Sequence, residues 1–182
     1  MPVYISMLRG INVGGHKRVK MDLLRKSFED LGFEQVKTYI QSGNVIFSGK
    51  KLSTAALCRK IEAKILDDFG FSVSVISRTQ DEMEKAIRNN PFLKERGIDQ
   101  EKLHVVFLSD APEPAALQKM QAFITAPDQS RCSGNEIYFY LPNGVSQSSL
   151  WKTPWERALS VVTTMRNWKT VNSVYQMCLD CR

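Results

Sequence analysis

Val3-Tyr4-Ile5-Ser6-Met7-Leu8 alternates strand-forming residues and predicts a first strand. Met21, Leu24, Phe28 and Leu31 then recur at helical spacing, and Gly32 is placed to end that helix. Val36 to Gln41 and Asn44 to Ser48 predict two further strands, with a short hairpin at Ser42-Gly43. A second helix starts after Ser53 as N-cap, carries Leu57, Ile61, Ile65 and Phe69 on one face, and stops at Gly70. Phe71 to Ser77 alternates again as a fourth strand. The order β-α-β-β-α-β is that of the split βαβ, or ferredoxin-like, unit.

The pattern then returns. Thr79-Gln80-Asp81-Glu82 fits a capping box, and Asn90-Pro91 ends the helix it opens. After a connector over 91–102, Leu103 to Leu108 predicts a strand and Pro114 to about Thr125 a helix. A short strand near Arg131-Cys132 precedes another from Ile137 to Leu141. The turn between them, Ser133-Gly134-Asn135, repeats Ser42-Gly43-Asn44 at the same point of the same order, which points to duplication. Beyond a loop over 142–152, Thr153-Pro154-Trp155-Glu156 supplies a cap, a Pro at N1 and a Glu at N3 for a helix to about Met165. Arg166-Asn167-Trp168-Lys169-Thr170 interrupts, and Val171, Val174, Tyr175 and Cys178 lie on a last helix.

The expected fold is therefore α+β: two ferredoxin-like subdomains with antiparallel sheets, over 1–78 and 103–182, joined by a helix and connector over 79–102 and finished by a C-terminal helix. On the first sheet, Val3, Ile5 and Met7 are expected to face the helices. Tyr4, Ser6 and Leu8 would then share the outer face with Lys37, Tyr39, Gln41, Asn44, Ile46 and Ser48.

Composition changes this picture little. The 182 residues are 43% hydrophobic and 24% charged, ordinary for a globular protein, and the net charge of +6 mildly favours anionic partners. No apolar run is long enough to span a membrane. Arg9 and Asn12 interrupt the apolar start, so a signal peptide is not expected. Four scattered cysteines make no disulfide framework. A cytoplasmic protein with reduced thiols is the expectation.

Candidate chemistry concentrates after the first strand, in Arg9-Gly10-Ile11-Asn12-Val13-Gly14-Gly15-His16-Lys17-Arg18. A Gly-rich, basic loop between a strand and a helix can turn backbone N–H groups toward an anion, with Arg9, Lys17 and Arg18 supplying charge. Gly-His-Lys-Arg lacks the Ser or Thr that holds Mg²⁺ in a P-loop, and no GxGxxG is present, so a nucleoside triphosphatase is not expected. The competing reading is that these glycines only supply positive φ. Arg9, Lys17, Arg18, Lys20, Arg25 and Lys26 against Asp22 alone suggest a nucleic-acid module as the alternative, although only Tyr4 and Tyr39 could stack on bases. Arg166-Asn167-Trp168 combines a fork donor, an amide and a large ring, as binding sites often do. Cys178 and Cys181 form a lone CxxC, and His16 and His104 are too few for a histidine site, so no metal or cofactor is expected. Nothing assigns a catalytic residue, and enzyme status and oligomeric state stay open.

Leu8-Arg9-Gly10-Ile11-Asn12-Val13-Gly14-Gly15, Thr38-Tyr39-Ile40-Gln41-Ser42-Gly43-Asn44-Val45 and Arg166-Asn167-Trp168-Lys169-Thr170-Val171 resemble the bacterial family of unknown function DUF1697. The resemblance covers nearly the whole chain and implies a pair of ferredoxin-like subdomains, but no activity. Met165 stands where the resemblance leads one to expect a smaller polar residue such as Thr. The three motifs suggest a ligand cleft between the halves, with Arg9, Asn12, Gly14, Gly15, Lys17, Gln41, Asn44, Arg166, Asn167 and Trp168 as binding residues for an anionic or nucleotide-like molecule. The third reading is a structural or protein-interaction domain without a ligand.

Overall fold

β1 (Val3–Leu8) is a central strand of a four-stranded antiparallel sheet, paired on both sides, in the computed structural model that describes residues 1–181. Its companions are β2 (Glu34–Tyr39), β3 (Asn44–Ser48) and β4 (Val75–Thr79), in the order β2-β3-β1-β4, with helices α1 (Met21–Asp30) and α2 (Thr54–Phe69) between them in sequence. Ser53 caps α2 by accepting from the Ala56 N–H at 3.2 Å, and Gly70 ends it in the left-handed region, as the sequence predicts. Thr79 and Glu82 exchange the two bonds of a capping box at the start of α3 (Gln80–Arg88).

The order repeats. β5 (Leu103–Leu108), α4 (Pro114–Gln121), β6 (Gln129–Ser133), β7 (Glu136–Tyr140), α5 (Trp155–Leu159) and β8 (Thr163–Asn167) give a second antiparallel sheet of order β6-β7-β5-β8. Helix α6 (Trp168–Leu179) follows. The chain forms two compact units: Met1–Lys85 with the residues from Ser173, called unit 1, and Ala86–Asn172, called unit 2. Both sheets have the ferredoxin-like order, so the fold class expected from the sequence is the one observed.

Three expectations need correction. First, the faces of β1 are reversed. Ile5 lies opposite Ile46 and Arg78, and Met7 opposite Asn44 and Ile76, so these residues share the face away from the helices. Tyr4 and Leu8 join Val45, Phe47, Leu24, Phe28, Leu57 and Ile61 in the helix-side core. Alternation could not decide this, because Tyr4, Ile5, Met7 and Leu8 are all at most 1% exposed.

Second, α5 stops at Leu159 and the next segment is strand β8, where a helix to Met165 was expected. Val161-Val162-Thr163-Thr164 are four β-branched residues in a row, which lose rotamer freedom in a helix and pair well in a strand. The expected cap also fails: Pro154 takes the N-cap position without a side-chain bond, and Thr153 donates to the Ser149 carbonyl instead. α4 likewise ends at Gln121, short of Thr125.

Third, the two Ser-Gly-Asn turns occupy equivalent hairpins but are out of step by one residue. The Leu8 N–H donates to the Gly43 carbonyl, whereas the equivalent Leu108 N–H donates to the Asn135 carbonyl, both at 2.9 Å. The tripeptide is a shared turn chemistry; the topology and hydrogen bonding carry the duplication.

Candidate functional site

The loop from Arg9 to Lys20 starts at one end of the unit 1 sheet and folds on itself. His16 N–H donates to the Val13 carbonyl and Asn12 N–H to the Lys17 carbonyl, each at 3.1 Å. Gly14 and Gly15, with φ of 59° and 77°, are the central pair of this miniature hairpin, where a two-residue turn with both φ positive excludes most side chains. Asn12 then anchors the hairpin. Its Oδ1 accepts from the Val19 N–H at 2.8 Å, and its Nδ2 donates to the Val19 carbonyl at 3.0 Å and the Gln41 carbonyl at 2.9 Å. Asn44 does the same service next door: its buried amide donates to the Tyr39 carbonyl and Ser42 Oγ, both at 3.0 Å, fixing the turn from Ile40 to Gly43.

Two open grooves flank this loop. One, of about 640 Å³, is lined by Arg9, Gly10 and Lys17 from the loop, Arg59 and Glu62 from α2, and Ser72 to Ser74 ahead of β4. Lys17 Nζ donates to the Ser72 carbonyl at 2.8 Å, which holds its charge at the groove without neutralising it. Glu62 Oε1 accepts from the Val75 N–H at 2.8 Å. The other groove, of about 870 Å³, lies between the loop and the start of α1 and includes Asn12, Gly15, Arg18, Lys20 and Gln41. Of the residues singled out in the sequence, Arg9, Asn12, Gly15, Lys17 and Gln41 thus border one groove or the other, Gly14 is exposed in the turn, and Asn44 is a buried staple behind it.

Arg166, Asn167 and Trp168 belong to unit 2, where they end β8 and begin α6. Arg166 lies opposite Val105, as Arg78 lies opposite Ile5, so the two arginines hold equivalent places in the two sheets. Each donates from Nη1 to the carbonyl of its preceding residue, Met165 at 2.8 Å and Ser77 at 3.0 Å. Arg166 Nη1 also reaches Thr164 Oγ1 at 2.8 Å, and burial lowers its pKa to about 10. It still carries its charge at neutral pH. Asn167 Oδ1 accepts from the Thr170 N–H at 2.8 Å and caps α6, in the position that Thr79 holds for α3. Trp168 is buried, and Met165, partly buried, packs on the unit 2 core.

Tyr4 is buried with its hydroxyl bonded to both the N–H and the carbonyl of Leu52, which removes it as a base-stacking group. Cys178 and Cys181 are buried near the end of α6; burial first, then the neighbouring Cys181, push the Cys178 thiol up to about 12, against a smaller opposing effect of Lys37. Among the described residues no group of three His, Cys, Asp or Glu could hold a metal ion, and no helix is long and apolar enough to cross a membrane. Sequence reasoning missed Arg59, Ser72 and Arg78. Arg59 reads as one of many charges on a helix face, while Arg78 becomes visible only when the two halves are laid over each other strand by strand.

The architecture is a tandem of ferredoxin-like units in which one copy carries an elaborated loop. The chain belongs to the family described as Protein of unknown function (DUF1697), which it matches over residues 1–138. It is also similar to a conserved bacterial protein, SP0830 from Streptococcus pneumoniae, with 26% sequence identity and a TM-score of 0.72 over 97% of this chain and 98% of that one. No protein among those with curated descriptions matches it.

Proposed function

We propose that unit 1 binds a small, multiply charged anion in the groove bordered by Arg9, Lys17 and Arg59. The observation that carries this reading is the contrast between the two copies of the fold. The connection from β1 to α1 runs from Arg9 to Lys20, whereas its counterpart from β5 to α4 runs only from Ser109 to Glu113. The short version closes the same strand–helix step, so the fold does not require the long one. Its counterpart is also acidic, with Asp110 and Glu113 in place of Arg9, Lys17, Arg18 and Lys20. Extra loop length on a rigid scaffold is where binding residues concentrate.

Charge supports the choice of ligand. Three cations meet one carboxylate in the groove, and Glu62 already has one oxygen occupied by the Val75 N–H. Arg9 and Arg59 are forked donors suited to phosphate oxygens. In this reading Asn12, Gly14, Gly15, Gln41 and Asn44 shape and hold the loop, while Arg166, Asn167 and Trp168 serve unit 2 as strand-end, cap and core residues.

Calorimetric titration of the full chain with inorganic pyrophosphate, followed by nucleoside diphosphates, tests the proposal. Lys17→Gln and Arg59→Gln should each weaken binding about tenfold, equivalent to about 1.4 kcal/mol, with little change in melting temperature. Absence of binding by every phosphorylated compound, or an affinity indifferent to both substitutions, would refute it.

A further inference from the structure

We infer that the crease on the other side of the same loop is a separate binding site, for an aromatic monoanion that lays its ring against Leu23 and Phe69 and its charge against Arg18 and Lys20. This inference does not rest on the Arg59 groove and stands or falls without it.

The crease encloses about 870 Å³, within the range of small-molecule sites. Its wall is apolar where the helix could have been polar. α1 buries Leu24 and Phe28 in the core, yet Leu23 on the flank of that face stays 48% exposed, beside Phe69 at the end of α2. The Phe69 ring lies 6.2 Å from that of Phe71, so the wall continues as an aromatic pair. Met21 adds a polarisable thioether, a good neighbour for a ring edge.

Charge gives the crease a direction. At the loop end stand Arg18 and Lys20, neither with an ion-pair partner among the described residues, and Asp22 is the carboxylate beside them. Two cations against one carboxylate leave a single net positive charge, which suits a monoanion better than a polyphosphate. At the far end, a smaller hollow of about 250 Å³ shares Leu23 and Phe69 but is bounded by Asp30 and Asp68. Those carboxylates are already matched by Lys26, Lys64 and Ser27. An anion therefore finds unmatched positive charge at one end only. Asn12 makes the site rigid, because it fixes both the N–H and the carbonyl of Val19, next to Lys20.

The probe is 8-anilino-1-naphthalenesulfonate, an aromatic monoanion whose fluorescence rises in apolar surroundings, titrated into the native full-length chain. One saturable class of site is expected. Leu23→Asp should weaken it at least about tenfold and Arg18→Gln about threefold or more; both side chains are exposed, so the fold is not at stake. Trp151→Ala, which removes the exposed tryptophan of unit 2, and Arg59→Gln, in the neighbouring groove, should leave the affinity unchanged, and inorganic pyrophosphate should not displace the dye. The inference is overturned if no saturable binding occurs, if Leu23→Asp and Arg18→Gln leave it intact, or if Trp151→Ala or Arg59→Gln abolishes it.

Discussion

Asn12 donates to the Gln41 carbonyl at 2.9 Å, and that bond joins two loop segments that are longer in unit 1 than in unit 2. One is the strand–helix loop from Arg9 to Lys20; the other is the turn from Ile40 to Gly43, whose unit 2 counterpart between β6 and β7 is only Gly134-Asn135. Both sit at the end of the sheet where Met7 pairs with Asn44, so the added backbone forms one surface.

Asn12→Ala should therefore destabilise unit 1 by about 2 kcal/mol, because it leaves the Val19 N–H and two carbonyls without their partner. For a chain of this size that is a fall of about 4–8 °C in melting temperature. Asn12→Asp keeps the acceptor and tolerates the φ of 55°, so it should cost less. Hydrogen exchange at the Val19 amide reads the same effect locally: faster in the Ala variant and little changed in the Asp variant.

The glycines of the two Ser-Gly-Asn hairpins should respond differently. A Cβ on Gly43 would come within 2.6 Å of Ile11 Cδ1, in addition to the cost of a φ of 78°. Gly134, with a φ of 60°, meets nothing within 4 Å. Gly134→Ala is expected to cost about 1–2 kcal/mol from backbone strain alone. Gly43→Ala should cost clearly more, and paired thermal melts of the two variants measure the gap.

Asn167→Ala should lower stability by about 1 kcal/mol through loss of the α6 cap, and Asn167→Asp or Asn167→Ser should recover most of it. Thr79→Ala should behave in parallel at α3, because the two residues hold equivalent positions. A loss for Asn167→Ala that the Asp and Ser variants do not restore, in denaturant unfolding, would contradict the cap.

His104 supplies a pH test. Burial lowers its pKa below the ordinary 6.5, and its Nδ1 is buried without a hydrogen-bond partner among the described residues. The unfolded chain then binds a proton at a higher pH than the native one. Stability from this residue is complete above pH 6.5 and falls as pH drops from there toward the native pKa. His104→Phe should flatten that part of the stability curve, as followed by melting temperature across the range.

Much of the architecture could be read from the chain because local signals agreed with it: the Ser53 and Thr79 caps, Gly32 and Gly70 as stops, and the helical spacing of Leu57, Ile61 and Ile65. The misreadings have two separate physical causes. Where both faces of a strand are buried, as in β1, alternation carries no direction; where β-branched residues follow a helix start, as after Trp155, strand pairing to β5 overrides the helical pattern. The candidate site was half visible. Charge and glycine content marked the loop, but not which polar groups are already spent: Asn12, Asn44 and Asn167 read as recognition amides and serve as staples and a cap. Arg59 lies far along the sequence from the loop, and only the fold brings it to the same groove.

The central claim is that the enlarged loop of unit 1 is a place where anions bind. Amide spectra of ¹⁵N-labelled protein, recorded while inorganic pyrophosphate is added, test it residue by residue. The account predicts saturable shifts in Arg9 to Lys20 and Ser72 to Ser74, with the Arg59 side chain. Spectra that stay unchanged at millimolar pyrophosphate, or that shift only around Ser109 to Glu113 in the other copy, would contradict it.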